Sequence, residues 1–76
     1  MTTSAIFVAG FENGIVTRMT VHKPRGKLDM ARGVRLARAA YESRMKEAPP
    51  VITSAHYERD GEILESYDRE ALEIGP

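Results

Sequence analysis

Strand-forming residues gather in four short runs, and between the second and third lies a longer segment whose apolar residues recur at helical spacing. Ala5 to Phe11 (AIFVAGF) and Ile15 to His22 (IVTRMTVH) flank Glu12-Asn13-Gly14. Asn-Gly between two such runs predicts a hairpin, because both central residues of a type I′ turn need positive φ and these two tolerate it. A two-residue turn at Asn13-Gly14 pairs Val8 with Met19 and Ile6 with Val21. That register puts Ile6, Val8, Met19 and Val21 on the core face. It leaves Phe7, Phe11, Val16, Arg18, Thr20 and His22 on the other.

Pro24-Arg25-Gly26 ends the second run, since proline cannot donate to a ladder. From Asp29 to Lys46 the pattern turns helical: Met30, Val34, Ala37, Tyr41 and Met45 form one stripe. Asp29 suits the N-cap or the first turn, and Arg44 and Lys46 complement the dipole at the far end. Several alanines raise helix propensity, whereas Gly33 costs about 1 kcal/mol relative to alanine. A glycine there points to close approach of helix and sheet. Pro49-Pro50 stops the helix near Glu47.

Val51 to Arg59 (VITSAHYER) and Glu62 to Tyr67 (EILESY) flank Asp60-Gly61, a second type I′ turn pair. Here Tyr57 falls opposite Leu64 and Ala55 opposite Ser66. Ile52, His56, Ile63, Glu65 and Tyr67 take the other face. Periodicity alone does not decide which face meets the helix; Val51, Ala55, Tyr57 and Leu64 are the favoured core set. Asp68 to Leu72 (DREAL) suits one helical turn. The plan is a single α+β domain spanning 1–76: a four-stranded antiparallel sheet of two hairpins, ββαββ, with one helix on one face. The opposite face stays open or is closed by a partner.

Composition narrows the function classes. Seventy-six residues hold one small domain. With no cysteine there are no disulfides, thiol nucleophiles or Cys-based zinc sites, which suits a reducing cytoplasm. The longest apolar run, Ala5 to Ala9, is too short for a membrane span or a signal-peptide core. Zero net charge gives the whole molecule no pull toward DNA or membrane. That zero, however, is a cancellation. Residues 1–46 hold nine basic and three acidic residues, and residues 47–76 hold two basic and eight acidic ones.

Two surfaces stand out as candidate binding sites. On the basic side, Arg32, Arg35 and Arg38 fall away from the apolar stripe, and Arg25 and Lys27 lie in the loop before the helix, where free backbone N–H groups favour anions. Arg38 and Glu42 have ion-pair spacing in its weaker orientation. On the acidic side, Glu58, Asp60, Glu62 and Glu65 surround the second turn. A solvated, self-neutralised surface is the plain alternative for both. The open sheet face, with Phe7, Phe11, Val16 and Arg18, is a further candidate, either as a homodimer seam or for docking another protein.

Other chemistry is thinly represented. Aromatics beside arginines on an open sheet describe single-stranded RNA platforms, but the Phe7/Phe11 segment lacks an RNP pattern and the acidic hairpin repels phosphates. His22 and His56 lack metal-ligand spacing. The serines lack triad context, and Gly10, Gly14 and Gly26 fit no phosphate loop. A non-enzyme without cofactor or metal is expected.

Taken together, the small cysteine-free chain, the Asn13-Gly14 hairpin, the Arg-rich helix from Asp29 to Lys46 and the acidic hairpin around Asp60-Gly61 resemble, in size and organisation, the phage- and prophage-encoded anti-CRISPR inhibitors. No motif is shared, so no residue role carries over. The resemblance implies a non-enzymatic protein of the host cytoplasm that blocks a host defence nucleoprotein effector by occluding its surface. Its acidic residues Glu58, Asp60, Glu62 and Glu65 would mimic nucleic-acid phosphates. Alternatives are a small nucleic-acid-binding domain using Arg25, Lys27, Arg32, Arg35 and Arg38, or a homodimeric structural module.

Overall fold

A computed structural model describes residues 4–22 and 28–74. Its elements run β1 (Ser4–Phe11), β2 (Val16–His22), α1 (Met30–Met45), β3 (Ile52–Arg59), β4 (Glu62–Tyr67) and α2 (Arg69–Ile74). All strand pairings are antiparallel and the sheet order is β2-β1-β3-β4, so β1 and β3 are central and β2 and β4 are the edges. The ββαββ plan is therefore present. The residues Lys23–Lys27, including the expected strand end at Pro24-Arg25-Gly26 and the basic pair Arg25 and Lys27, lie outside the described residues.

The first hairpin differs from expectation by one residue. Gly14 N–H donates to Phe11 O at 2.9 Å and Phe11 N–H donates to Ile15 O at 2.8 Å. Gly14 has φ +90°, whereas Asn13 is not among the positive-φ residues. This is a three-residue loop, a type I turn closed by a glycine bulge, rather than the two-residue I′ turn. It pairs Phe7 with Met19 and Val8 with Arg18. A one-residue slip exchanges the faces of β1 relative to β2. Ala5, Phe7, Ala9 and Phe11 consequently enter the core, and Phe7 and Phe11 are not on the open face. Ile6 and Val8 take the open side instead, while Met19 and Val21 face the core as expected.

The second turn is as read: Asp60 (φ 52°) and Gly61 (φ 81°) make a I′ turn between Arg59 and Glu62. Two bulges then alter the strand phases. One lies between Tyr57 and Glu58 on the β3–β4 ladder, so Tyr57 pairs with Glu65 and Ala55 with Tyr67, not with Leu64 and Ser66. The other lies where Gly10 pairs with Ser54 but Phe11 with Ile52. An extra residue in one strand changes which parity faces inward. Ile52 and Tyr67 thereby join Ala55, Tyr57 and Leu64 against the core, and Val51 is left about half exposed at 49%.

Helix α1 starts where Asp29 Oδ1 accepts from Ala31 N–H at 3.0 Å. It ends at Met45, with Lys46 in the left-handed region and its N–H donating to Glu42 O at 2.8 Å. Gly33 is buried against Phe7, and a Cβ there would sit 2.4 Å from Phe7 Cδ1. The expected close approach is thus real, and its partner is an aromatic ring. Two tyrosines fix the helix at its ends. Tyr57 from β3 donates to Asp29 O at 2.6 Å, while Tyr41 packs its ring at a tilt against Phe11, 4.8 Å between centroids, and accepts from Asn13 Nδ2 at 2.9 Å. Burial raises the Tyr57 phenol above its usual range, with the Asp29 charge adding to it.

Helix α2 forms where the DREAL segment suits a helical turn, and it adds a second piece to a layer expected to hold one helix. Asp68 caps it by accepting from Ala71 N–H at 2.8 Å, and Leu72 packs against the core cluster. Helix α1 rests on β2 and β1, and α2 on β3 and β4. Both helices therefore cover the same face of the sheet, and among the described residues no element covers the other face.

Candidate functional site

The open face presents Val16, Arg18, Thr20 and His22 from β2, Ile6, Val8 and Gly10 from β1, Ser54, His56 and Glu58 from β3, and Ile63 and Ser66 from β4. Val16 (50% exposed) and Arg18 stand here as the sequence suggested. Removing Phe7 and Phe11 shrinks the accessible apolar part to Ile6, Val16 and Ile63, with Val8 on the same side but buried beneath its neighbours. A polar network runs through its middle. Glu58 Oε2 accepts from Arg18 Nη2 at 2.7 Å, and Glu58 Oε1 accepts from His56 Nε2 at 2.9 Å. Register explains the meeting: Val8 on central β1 has Arg18 on one side and His56 on the other. The hydrogen bond from His56, and then that from Arg18, holds the Glu58 carboxyl below its ordinary range. His56 and Glu58 sit two apart on one strand and so share a face. That spacing was the available signal for this network, which reading Glu58 with its acidic neighbours missed.

The four acidic candidates do not form one patch. Glu58 is tied into the open-face network, whereas Glu65 lies on the helix side and accepts from Tyr67 O–H at 3.0 Å. Burial, and then this bond to Glu65, raises the Tyr67 phenol above its usual range. Asp60 is exposed at the turn tip and Glu62 is exposed beside it. A different acidic grouping replaces the predicted set. Along the β4–α2 border the exposed carboxylates are Asp60, Glu62, Glu65, Asp68, Glu70 and Glu73, accompanied by Arg69. Arg69 bridges Glu73 at 3.5 Å and reaches Glu12 at 4.0 Å. The helical turn expected over DREAL is present and brings Glu70 onto this border, outside the candidate set drawn around the second turn.

Of the five basic candidates, Arg32, Arg35 and Arg38 lie at three-residue spacing along one side of α1, and Arg44 lies half a turn around the helix from Arg35. Arg35, Arg38 and Arg44 are exposed and Arg32 is half-buried. Among the described residues none of these arginines lies within 4 Å of a carboxylate, and the Arg38–Glu42 pair is not closed. Because α1 covers β2–β1 and α2 covers β3–β4, the basic and acidic groupings occupy opposite flanks of the helix layer. An open recess of ≈ 350 Å³ at the end of α1 is lined by Glu42, Lys46, Glu47 and Ala48. Among the described residues there is no group of three or more His, Asp or Glu side chains arranged to hold a metal, and no helix is long and apolar enough to cross a membrane. The chain matches no protein-family model, no curated protein and no solved structure.

Proposed function

We propose that this chain is a non-catalytic protein-binding module that acts by covering a surface of its partner. The observation that carries the reading is the separation of charge: exposed carboxylates at Asp60, Glu62 and Glu70 and exposed guanidiniums on α1 lie on opposite flanks without neutralising one another. Separated poles speed encounter and orient docking more than they add affinity. The acidic border of β4 and α2 is the contact, with Glu58 withdrawn from the set because Arg18 and His56 already occupy it. Its partner is a basic protein or nucleoprotein surface in the cytoplasm. The narrower form, an inhibitor of a host defence complex, rests on the resemblance in size and organisation. A second reading, nucleic-acid binding by α1, draws on its unpaired arginines.

Charge reversal separates these readings. Capture of binding proteins from a bacterial lysate should be lost when Asp60, Glu62 and Glu70 become lysine. It should persist when Arg35 and Arg38 become glutamate. The opposite pattern, with salt-sensitive binding of oligonucleotides by the unmodified chain, would replace the first reading with the second.

A further inference from the structure

We infer that copies of this chain associate head to tail, the basic face of α1 on one copy meeting the acidic β4–α2 border of the next. One side of helix α1 exposes Arg35 and Arg38, with Arg32 half-buried beside them and Glu42, the helix's one acidic residue, on the same side. The stretch from Asp60 to Glu73 carries six carboxylates against Arg69 alone. Each surface is the electrostatic complement of the other. Among the described residues they do not pair within one molecule: α1 lies over β2 and β1, α2 over β3 and β4, and no α1 arginine is within 4 Å of a carboxylate. A second copy can supply what each lacks. The open sheet face is a poorer seam, since its central polar groups Arg18, Glu58 and His56 already satisfy one another.

The contact joins two different patches, so it is heterologous and leaves a free pole at each end; repetition extends a chain rather than closing a dimer. Exposed ion pairs dominate it, which makes it weak and sensitive to screening. It needs no other partner, but it uses the same acidic border that the binding role proposed above gives to a partner, so the two contacts compete. Self-association is read on the purified chain alone and fails or stands independently of that role.

Analytical ultracentrifugation of the purified chain alone tests it. At an ionic strength of about 0.01 M the weight-average mass should rise about twofold or more above 8.5 kDa with concentration, and at about 1 M it should return to the monomer. A monomer at low salt overturns the inference, as does association that salt does not weaken. Arg35 and Arg38 changed to glutamate, or Glu62, Glu65 and Glu70 changed to lysine, should each give monomers, and mixing the two variants should restore association. Persistence in either variant alone contradicts it. If a variant fails to fold, amide shifts of the unmodified chain on dilution decide the matter. They should move on α1 and on β4–α2 together; shifts confined to Ile6, Val16 and Ile63 would place the contact on the sheet face instead.

Discussion

The two hairpins begin from nearly the same signal and end differently. Asn13-Gly14 and Asp60-Gly61 each separate a pair of strand-forming runs. In the second, both turn residues adopt positive φ; in the first only the glycine does, and Asn13 spends its side chain on bonds to Ile15 N–H and Tyr41 O–H. The dipeptide thus specifies that the chain reverses but not how many residues the loop contains. That single residue of difference decides which half of β1 is buried. A turn motif is a statement about direction, and register needs a second witness in the packing.

Substitutions on β1 give the largest separation. Phe7→Ala should cost about 3–5 kcal/mol in urea unfolding, since Phe7 is fully buried beneath Gly33 and against Tyr57. Val8→Ala, on the open side, should cost only about 1.5 kcal/mol. A reversed ranking would mean that the first hairpin uses the two-residue turn after all.

The loops themselves should respond unequally. Asn13→Gly removes two side-chain hydrogen bonds and should destabilise by about 1–2 kcal/mol. Asp60→Gly relieves a left-handed residue at the expense of chain entropy and should change stability by less than about 0.5 kcal/mol. Equal losses at both positions would erase the distinction between the turns.

The smallest effect belongs to the contact that joins the hairpins across the open face. Glu58 has a folded pKa below its ordinary value of 4.5, so its contribution is present above that value and disappears as pH falls through the lowered one. Acid denaturation of Glu58→Gln should therefore lack part of the stability loss that the unmodified chain shows below about pH 4.5. An unchanged acid limb would show that the Arg18–Glu58–His56 network is idle in solution.

Much of the architecture is legible in the residues. The places of both turns, the type of the second, the α1 stripe, its Asp29 cap and its stop before Pro49-Pro50 follow from local chemistry that tertiary packing did not override. The strand faces were not legible, because bulges at Gly10/Phe11 and Tyr57/Glu58 break the alternation on which facing arguments depend. The bulk of Phe7 and Phe11 was a clue in hand: two aromatics on the strand that became central outweigh a turn motif. The candidate site fared likewise. Arg32, Arg35 and Arg38 of α1 remained one surface because a helix keeps residues three apart together, whereas Glu58 and Glu65 were divided by the sheet that a linear cluster ignores.

The seat of Phe7 under Gly33 has a consequence for how this fold can vary. Positions 7 and 33 share one small volume, so neither can change size alone: a methyl group on the helix must be met by a smaller ring or an aliphatic side chain on the strand. The arginines lie on the far side of that helix and are under no such bond. Selection can rewrite the charged exterior residue by residue, while the pair beneath it must move as one or not at all.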